Sequence, residues 1–195
     1  MGIRVDGVDK LAYNHFDSYP SGLGESMVSD VRTLLKRKAG IDGFRSLARD
    51  LMLVDGKGKP TESQKKHLRP VTDLGVSSQS DDDWYCLTRD LQGDLKKTLE
   101  FGFMIDSHEF AANSLFCEYG YIVNLDDLTF EVYRGFQEKE HDAGRYAKVA
   151  RDAETIERQR KNGYEYWPIA LVATFPLLDI PKDWEERAFP EENDE

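Results

Sequence analysis

The feature that most constrains this chain is a β-hairpin read directly from residue order. Leu115 to Leu125 alternates apolar and polar residues, Asp126-Asp127 supplies a turn, and Leu128 to Arg134 alternates again. If Leu125 and Leu128 flank a two-residue turn, the register follows: Val123 faces Phe130 and Tyr121 faces Val132. That face, with Leu115, Cys117 and Tyr119, is apolar and predicts core. The opposite face carries Glu118, Gly120, Ile122, Asn124, Thr129, Glu131 and Tyr133. It predicts either a solvated surface or a polar site.

A second hairpin is expected over residues 3–17. Asp6-Gly7 is a favoured tight-turn pair. Beyond it, Leu11, Tyr13, His15 and Asp17 would share one strand face, and Ala12, Asn14 and Phe16 the other. Pro20 ends this strand. A third strand is expected over 164–175, with Pro168 marking an edge or a bulge.

Helices fill the remainder. Met27, Val28, Val31, Leu34 and Leu35 recur at helical spacing over 24–38, with Gly40 as its stop. A second helix is expected over 43–53, capped by Asp42. Thr61-Glu62-Ser63-Gln64 has capping-box spacing and opens a short helix to Leu68. Trp84, Leu87, Leu91, Leu95 and Leu99 predict one long helix over 81–100, despite Gly93. One helical turn is expected at 107–112 and a weakly amphipathic helix at 145–161, closed by Gly163. Together these elements predict one α+β domain over 1–195, with an antiparallel sheet of four to six strands and helices packed on it. Residues 185–195 read as an acidic tail, frayed over Glu191–Glu195.

Composition excludes several function classes. The 195 residues include ten Phe, nine Tyr and three Trp, too much apolar surface for a disordered chain. No apolar run reaches the ~18 residues that span a bilayer, and the N-terminal residues lack an apolar signal region; a cytoplasmic, membrane-free protein is expected. The net charge of −11 disfavours a nucleic-acid partner, whose phosphates require Lys and Arg. Cys86 and Cys117 read as free thiols. Ser107-His108-Glu109 lacks metal-ligand spacing, so neither metal nor other cofactor is expected.

The densest chemistry lies in Tyr13-Asn14-His15-Phe16-Asp17-Ser18-Tyr19-Pro20-Ser21-Gly22-Leu23-Gly24. On a strand, His15 and Asp17 point to one side, where His15 would act as acid or base and Asp17 as its partner. Glu118, from the central hairpin, is the best outside contributor to such a catalytic group. Tyr13, Tyr19 and Tyr133 would supply polar contacts to a ligand. Ser21, Gly22 and Gly24, leading into a helix, would seat an anion on free backbone N–H groups. The expected activity is that of a hydrolase or transferase on a small anionic or nucleotide-like substrate. The alternatives are a module that holds such a ligand without turnover, or an acidic protein whose partner is another protein, such as an inhibitor in phage–host conflict. The oligomeric state stays open.

This stretch resembles a Tyr-x-His-x-Asp-(Gly/Ser)-Tyr-Pro-x-Gly-x-Gly pattern of uncharacterised proteins from bacteria, phages and fungi. The segments Ser114–Asp126 with Phe130–Tyr133, and Tyr166–Leu171, look like the same group. The resemblance implies that the three segments belong to one unit. It carries no activity and assigns no catalytic role.

Overall fold

A computed structural model describes residues 1–190. Its centre is a five-stranded sheet in the order β2-β1-β5-β6-β7. Strands β1 (Gly2–Val5) and β2 (Val8–Leu11) form the first hairpin. Asp6 and Gly7 turn it with φ of 51° and 77°, the left-handed pair that a tight hairpin requires. Strands β5 (Tyr119–Asn124) and β6 (Thr129–Arg134) form the central hairpin in the expected register, with Val123 opposite Phe130 and Tyr121 opposite Val132. β7 (Ala170–Pro176) adds antiparallel to β6 as an edge strand, with a bulge at Val132/Tyr133. The α+β class therefore holds, with one departure from an all-antiparallel sheet. β1 runs parallel to β5. This brings both hairpin turns to one end, where the Asp126 carboxylate accepts from the N–H groups of Asp6 (2.7 Å) and Gly7 (2.8 Å).

One sheet face buries Ile3, Tyr121, Val123, Phe130 and Val132 under helices. These are α1 (Glu25–Leu35), α2 (Gly40–Asp50), α5 (Leu95–Phe101) and α8 (Trp184–Ala188). The other face buries Leu11, Ile122, Tyr133, Tyr146 and Ile169. A third cluster forms beside α3 (Glu62–Leu68) and α4 (Trp84–Leu87), around Leu68, Trp84 and Leu87. It covers a small parallel sheet of β3 (Met52–Val54) and β4 (Phe103–Ile105), which the sequence pattern did not reveal.

Several expected elements are shorter. The second strand stops at Leu11, so 12–17 is not strand. The 43–53 helix begins at Gly40, places Asp42 in its first turn, and ends at Asp50, where Met52–Val54 leaves to pair with β4. The 81–100 helix is divided: α4 ends at Leu87, a tight turn spans Arg89–Leu91, and after Gly93 at φ of 80° the Asp94 carboxylate starts α5 by accepting from Lys97 N–H (2.7 Å). Leu115 and Phe116 lie in a tight helical turn, Ser114–Phe116, rather than in strand β5. The expected turn at 107–112 forms as α6 (Glu109–Ala112). The 145–161 helix becomes a tight turn at Arg145–Lys148 and a separate α7 (Ala153–Lys161), started by the Asp152 carboxylate on Thr155 N–H. The capping box at Thr61 and Gln64 forms as expected. Of the expected acidic tail over 185–195, residues 185–188 belong to α8, which is anchored by Trp184, fully buried with its indole N–H donating to Glu25 (2.5 Å). Residues 191–195 lie outside the described residues.

The mixed face of the central hairpin is divided: Glu118, Gly120 and Ile122 line a cleft, whereas the Glu131 end is sealed. Glu131 is 5% exposed. It accepts from Arg145 (2.5 Å), Asn124 (2.7 Å) and the Tyr133 hydroxyl (2.9 Å), and Arg145 also holds Asp9 (3.0 Å). This network clamps the 145–148 turn onto the sheet.

Lys10 ties the N-terminal hairpin to α2. Its buried ammonium donates to the carbonyls of Ala48 (2.7 Å), Arg49 (3.1 Å) and Leu51 (2.5 Å), which close a helix end that lacks intrahelical partners. Burial pulls its pKa below the usual lysine value. Lys10→Met keeps the aliphatic stem and leaves these carbonyls unpaired. The expected cost is about 1–3 kcal/mol, read as a lower urea midpoint at an unchanged slope.

Candidate functional site

Where β2 ends, the chain crosses the start of β5 without pairing to it, and a cleft of about 350 Å³ opens between them. Its walls come from residues 11–19, from 115–122, and from Ser107, Phe110, Phe136 and Ile169. Tyr13, His15, Asp17, Tyr19 and Glu118 all line it. The structure thus brings together five of the nine residues singled out from sequence. Ser21, Gly22, Gly24 and Tyr133 do not line it. Tyr133 is fully buried within the Glu131 network, and its hydroxyl donates to Glu131 (2.9 Å).

The glycine turn is architecture rather than an anion seat. Residues Pro20–Gly24 form one wide helical turn before α1. The N–H groups of Gly22 and Gly24 bond to Tyr19 C=O (3.0 and 3.3 Å), Leu23 N–H to Asp17 C=O (2.9 Å), and Glu25 N–H to the carbonyls of Pro20 and Gly22. These donors are consumed. A Cβ on Gly22 would strike the Asp17 carbonyl, and one on Gly24 would meet the Trp184 ring at 2.5 Å. Both glycines are needed for close approach.

His15 and Asp17 do not form the expected pair. Asp17 sits at φ of 38°, exposed, and spends its backbone carbonyl on Leu23. The His15 ring instead packs edge-on against Tyr13 (centroids 4.6 Å) and Tyr85 (5.3 Å), with Phe16 beside it. Tyr13 in turn stacks on Phe110 (4.0 Å, 15°). The Arg89 guanidinium lies over the Phe16 ring (4.1 Å). The apolar rings around His15, and then Arg89, lower its pKa from the ordinary value near 6.5, so it is neutral at pH 7. Glu118 pairs with Arg134 (3.3 Å), whose guanidinium covers the Tyr119 ring (4.3 Å). Glu118 is thus engaged away from His15. Cys117 lines the cleft too, but burial pushes its thiol pKa up, which opposes nucleophilic use.

The roles missed from sequence are those of Phe16, Phe110, Phe116 and Phe136. Phe16 sat inside the motif and was assigned to the opposite strand face. Phe116 and Phe136 flank the central hairpin, and only the tertiary fold carries them to the cleft. Among the described residues no cluster of three or more His, Cys, Asp or Glu is placed to hold a metal. No helix among them is long and apolar enough to cross a membrane. Comparison with protein-family models, curated proteins and solved structures gave no match.

The depressed His15 pKa has a direct test. In an NMR titration, His15 should titrate below about 6.5, and Arg89→Gln should move it up. The unfolded chain protonates His15 more readily than the fold does. Stability should therefore decline as the pH falls below that ordinary value, and His15→Leu should remove that part of the decline.

Proposed function

We propose that this chain is a binding module for a small planar, aromatic ligand of the nucleobase type. The observation that carries this reading is the exposure of aromatic rings around the cleft. Phe16 (48%), Tyr19 (57%), Phe116 (57%) and Phe136 (43%) all line it while remaining open to solvent. Water penalises such surface, and a concentrated display of it marks a binding site. A flat ligand stacked on these rings removes that penalty at little entropic cost, because each ring has only two side-chain torsions to fix. The cleft volume lies within the ~300–1,000 Å³ of small-molecule sites. The neutral His15 ring, with no hydrogen bond to another side chain or to the backbone among the described residues, offers one donor and one acceptor to a heterocycle edge.

The same geometry argues for binding without turnover. The acid/base dyad required of a hydrolase is not assembled, since His15 contacts rings and Glu118 contacts Arg134. The N–H groups of Gly22, Leu23, Gly24 and Glu25 are bonded within the turn, and Ser21, Gly22 and Gly24 do not line the cleft, which favours a neutral ligand over a phosphate.

Phe116→Ser tests the reading at a position too exposed to matter much to the fold. Isothermal titration with adenine, guanine, cytosine and uracil should find a binder for the wild type. The variant should bind it about 5- to 150-fold more weakly, the loss of a 1–3 kcal/mol stacking contact. A wild type that binds none of the four, or an unchanged affinity in Phe116→Ser, would exclude the proposal. Chemical change of the bound base on incubation would return the chain to the enzymes.

A further inference from the structure

The walls of the aromatic cleft are one-sided in charge. Among the described residues that line it there is no Lys or Arg, and its ionised side chains are the carboxylates of Asp17 and Glu118. His15 lines it as a neutral ring at pH 7. The Met1 ammonium is buried and held by the Ala12 carbonyl (2.9 Å), and burial inclines it to lose its proton. Two arginines border the cleft without lining it. Arg134 is engaged with Glu118 (3.3 Å), and Arg89 lies over the Phe16 ring (4.1 Å). The exposed Asp17 carboxylate has no hydrogen-bond or ion-pair partner among the described residues, in a chain of net charge −11.

The rings add to this field. The face of an aromatic ring carries partial negative charge and attracts a cation placed over it. The chain uses the contact repeatedly: Arg134 lies over Tyr119 (4.3 Å), Arg151 over Trp167 (4.2 Å) and Arg145 over Tyr146 (4.9 Å). Tyr19, Phe116 and Phe136 line the cleft, are exposed, and carry no such guanidinium among the described residues. Their faces remain open to a cation brought by a ligand.

We infer that the preferred ligand of the cleft is a base with a positive charge on its ring, of the kind that methylation of a ring nitrogen produces, held by the open faces of Tyr19, Phe116 and Phe136 with Asp17 as its counter-charge. This rests on the proposal that the cleft takes a planar base. A cationic base keeps the flat shape of the neutral one. It gains two attractions that the neutral base lacks, one to the ring faces and one to the unmatched carboxylate. The order of preference at the cleft is cationic base, then neutral base, then anion.

The test is isothermal titration of the whole chain at pH 7 with paired methylated nucleosides: 1-methyladenosine against N6-methyladenosine, and 3-methylcytidine against 5-methylcytidine. Each pair carries one added methyl group, and only the first member is cationic. At least one cationic member should bind the wild type about tenfold tighter than its neutral partner, and added salt should shrink the difference. Asp17→Asn removes the charge, and asparagine tolerates the left-handed backbone at that position (φ 38°). In this variant the advantage should fall to about threefold or less while the neutral partner binds as before, which also reports that the variant is folded. Equal binding within both pairs, or an advantage unchanged in Asp17→Asn, overturns the inference and leaves the aromatic site standing. So does failure of all four nucleosides while adenine or cytosine binds. Tetramethylammonium that binds as tightly as the cationic nucleosides and competes with them makes the cleft a plain ammonium site and overturns both readings, as does failure of every base and nucleoside.

Discussion

Tyr121 is the residue on which the cleft depends. It is fully buried on β5, stacked parallel to Phe130 (6.2 Å) and edge-on to Trp184 (5.9 Å). Its hydroxyl donates to the Ser18 carbonyl (3.1 Å). One side chain therefore joins the central hairpin, the C-terminal helix and the loop that walls the cleft. Gly24 presses against the same rings and leaves no room for a Cβ. Burial raises the Tyr121 pKa far above the ordinary phenol value, so the hydroxyl stays a donor throughout the physiological range. The Pro20-x-Gly22-x-Gly24 spacing is the local answer to this constraint. Proline sets the entry angle, and the glycines allow Asp17 and Trp184 to close on the turn.

Local rules were legible in the sequence wherever one interaction dominated. Two-residue alternation fixed the register of the central hairpin, because Val123 and Phe130 bury their side chains on the same face. The Asp6-Gly7 turn and the Thr61–Gln64 box each rest on contacts within a few residues. The errors arose where a long-range partner overrode the pattern. Alternation through Tyr13, His15 and Asp17 reads as a strand. Yet Tyr13 is claimed by Phe110, and the chain beyond Leu11 goes on to its bonds with Tyr121 and Leu23 rather than along the sheet. The three-residue strands β3 and β4 exist only through each other, so no window of sequence contains their cause. The stripe from Trp84 to Leu99 is real, but α4 ends at Leu87, and a left-handed Gly93 beside an Asp94 cap makes the second half a separate helix.

The candidate site was half legible for the same reason. His15, Asp17, Tyr13, Tyr19 and Glu118 do converge, since the motif and the start of β5 are neighbours through the parallel pairing of β1 and β5. Tyr133 failed because its face carries charge and reads as surface. Arg145, distant in sequence, neutralises Glu131 and seals that face. A buried ionic network of this kind adds little net stability once desolvation is counted. Its consequence is positional: it fixes the 145–148 turn, and with it Tyr146, against Tyr133 (5.1 Å).

The remaining tension is between an acidic protein and a site first read as an anion seat. At a net charge of −11, long-range attraction works against anions before any contact forms. Of the arginines near the cleft, Arg134 is matched by Glu118, and Arg89, over Phe16, discourages protonation of His15. On the proposed reading, Asp17 and Glu118 disfavour anionic ligands at the cleft, while the exposed rings and the His15 ring favour a planar one. On that reading, specificity comes as much from what the cleft repels as from what it holds.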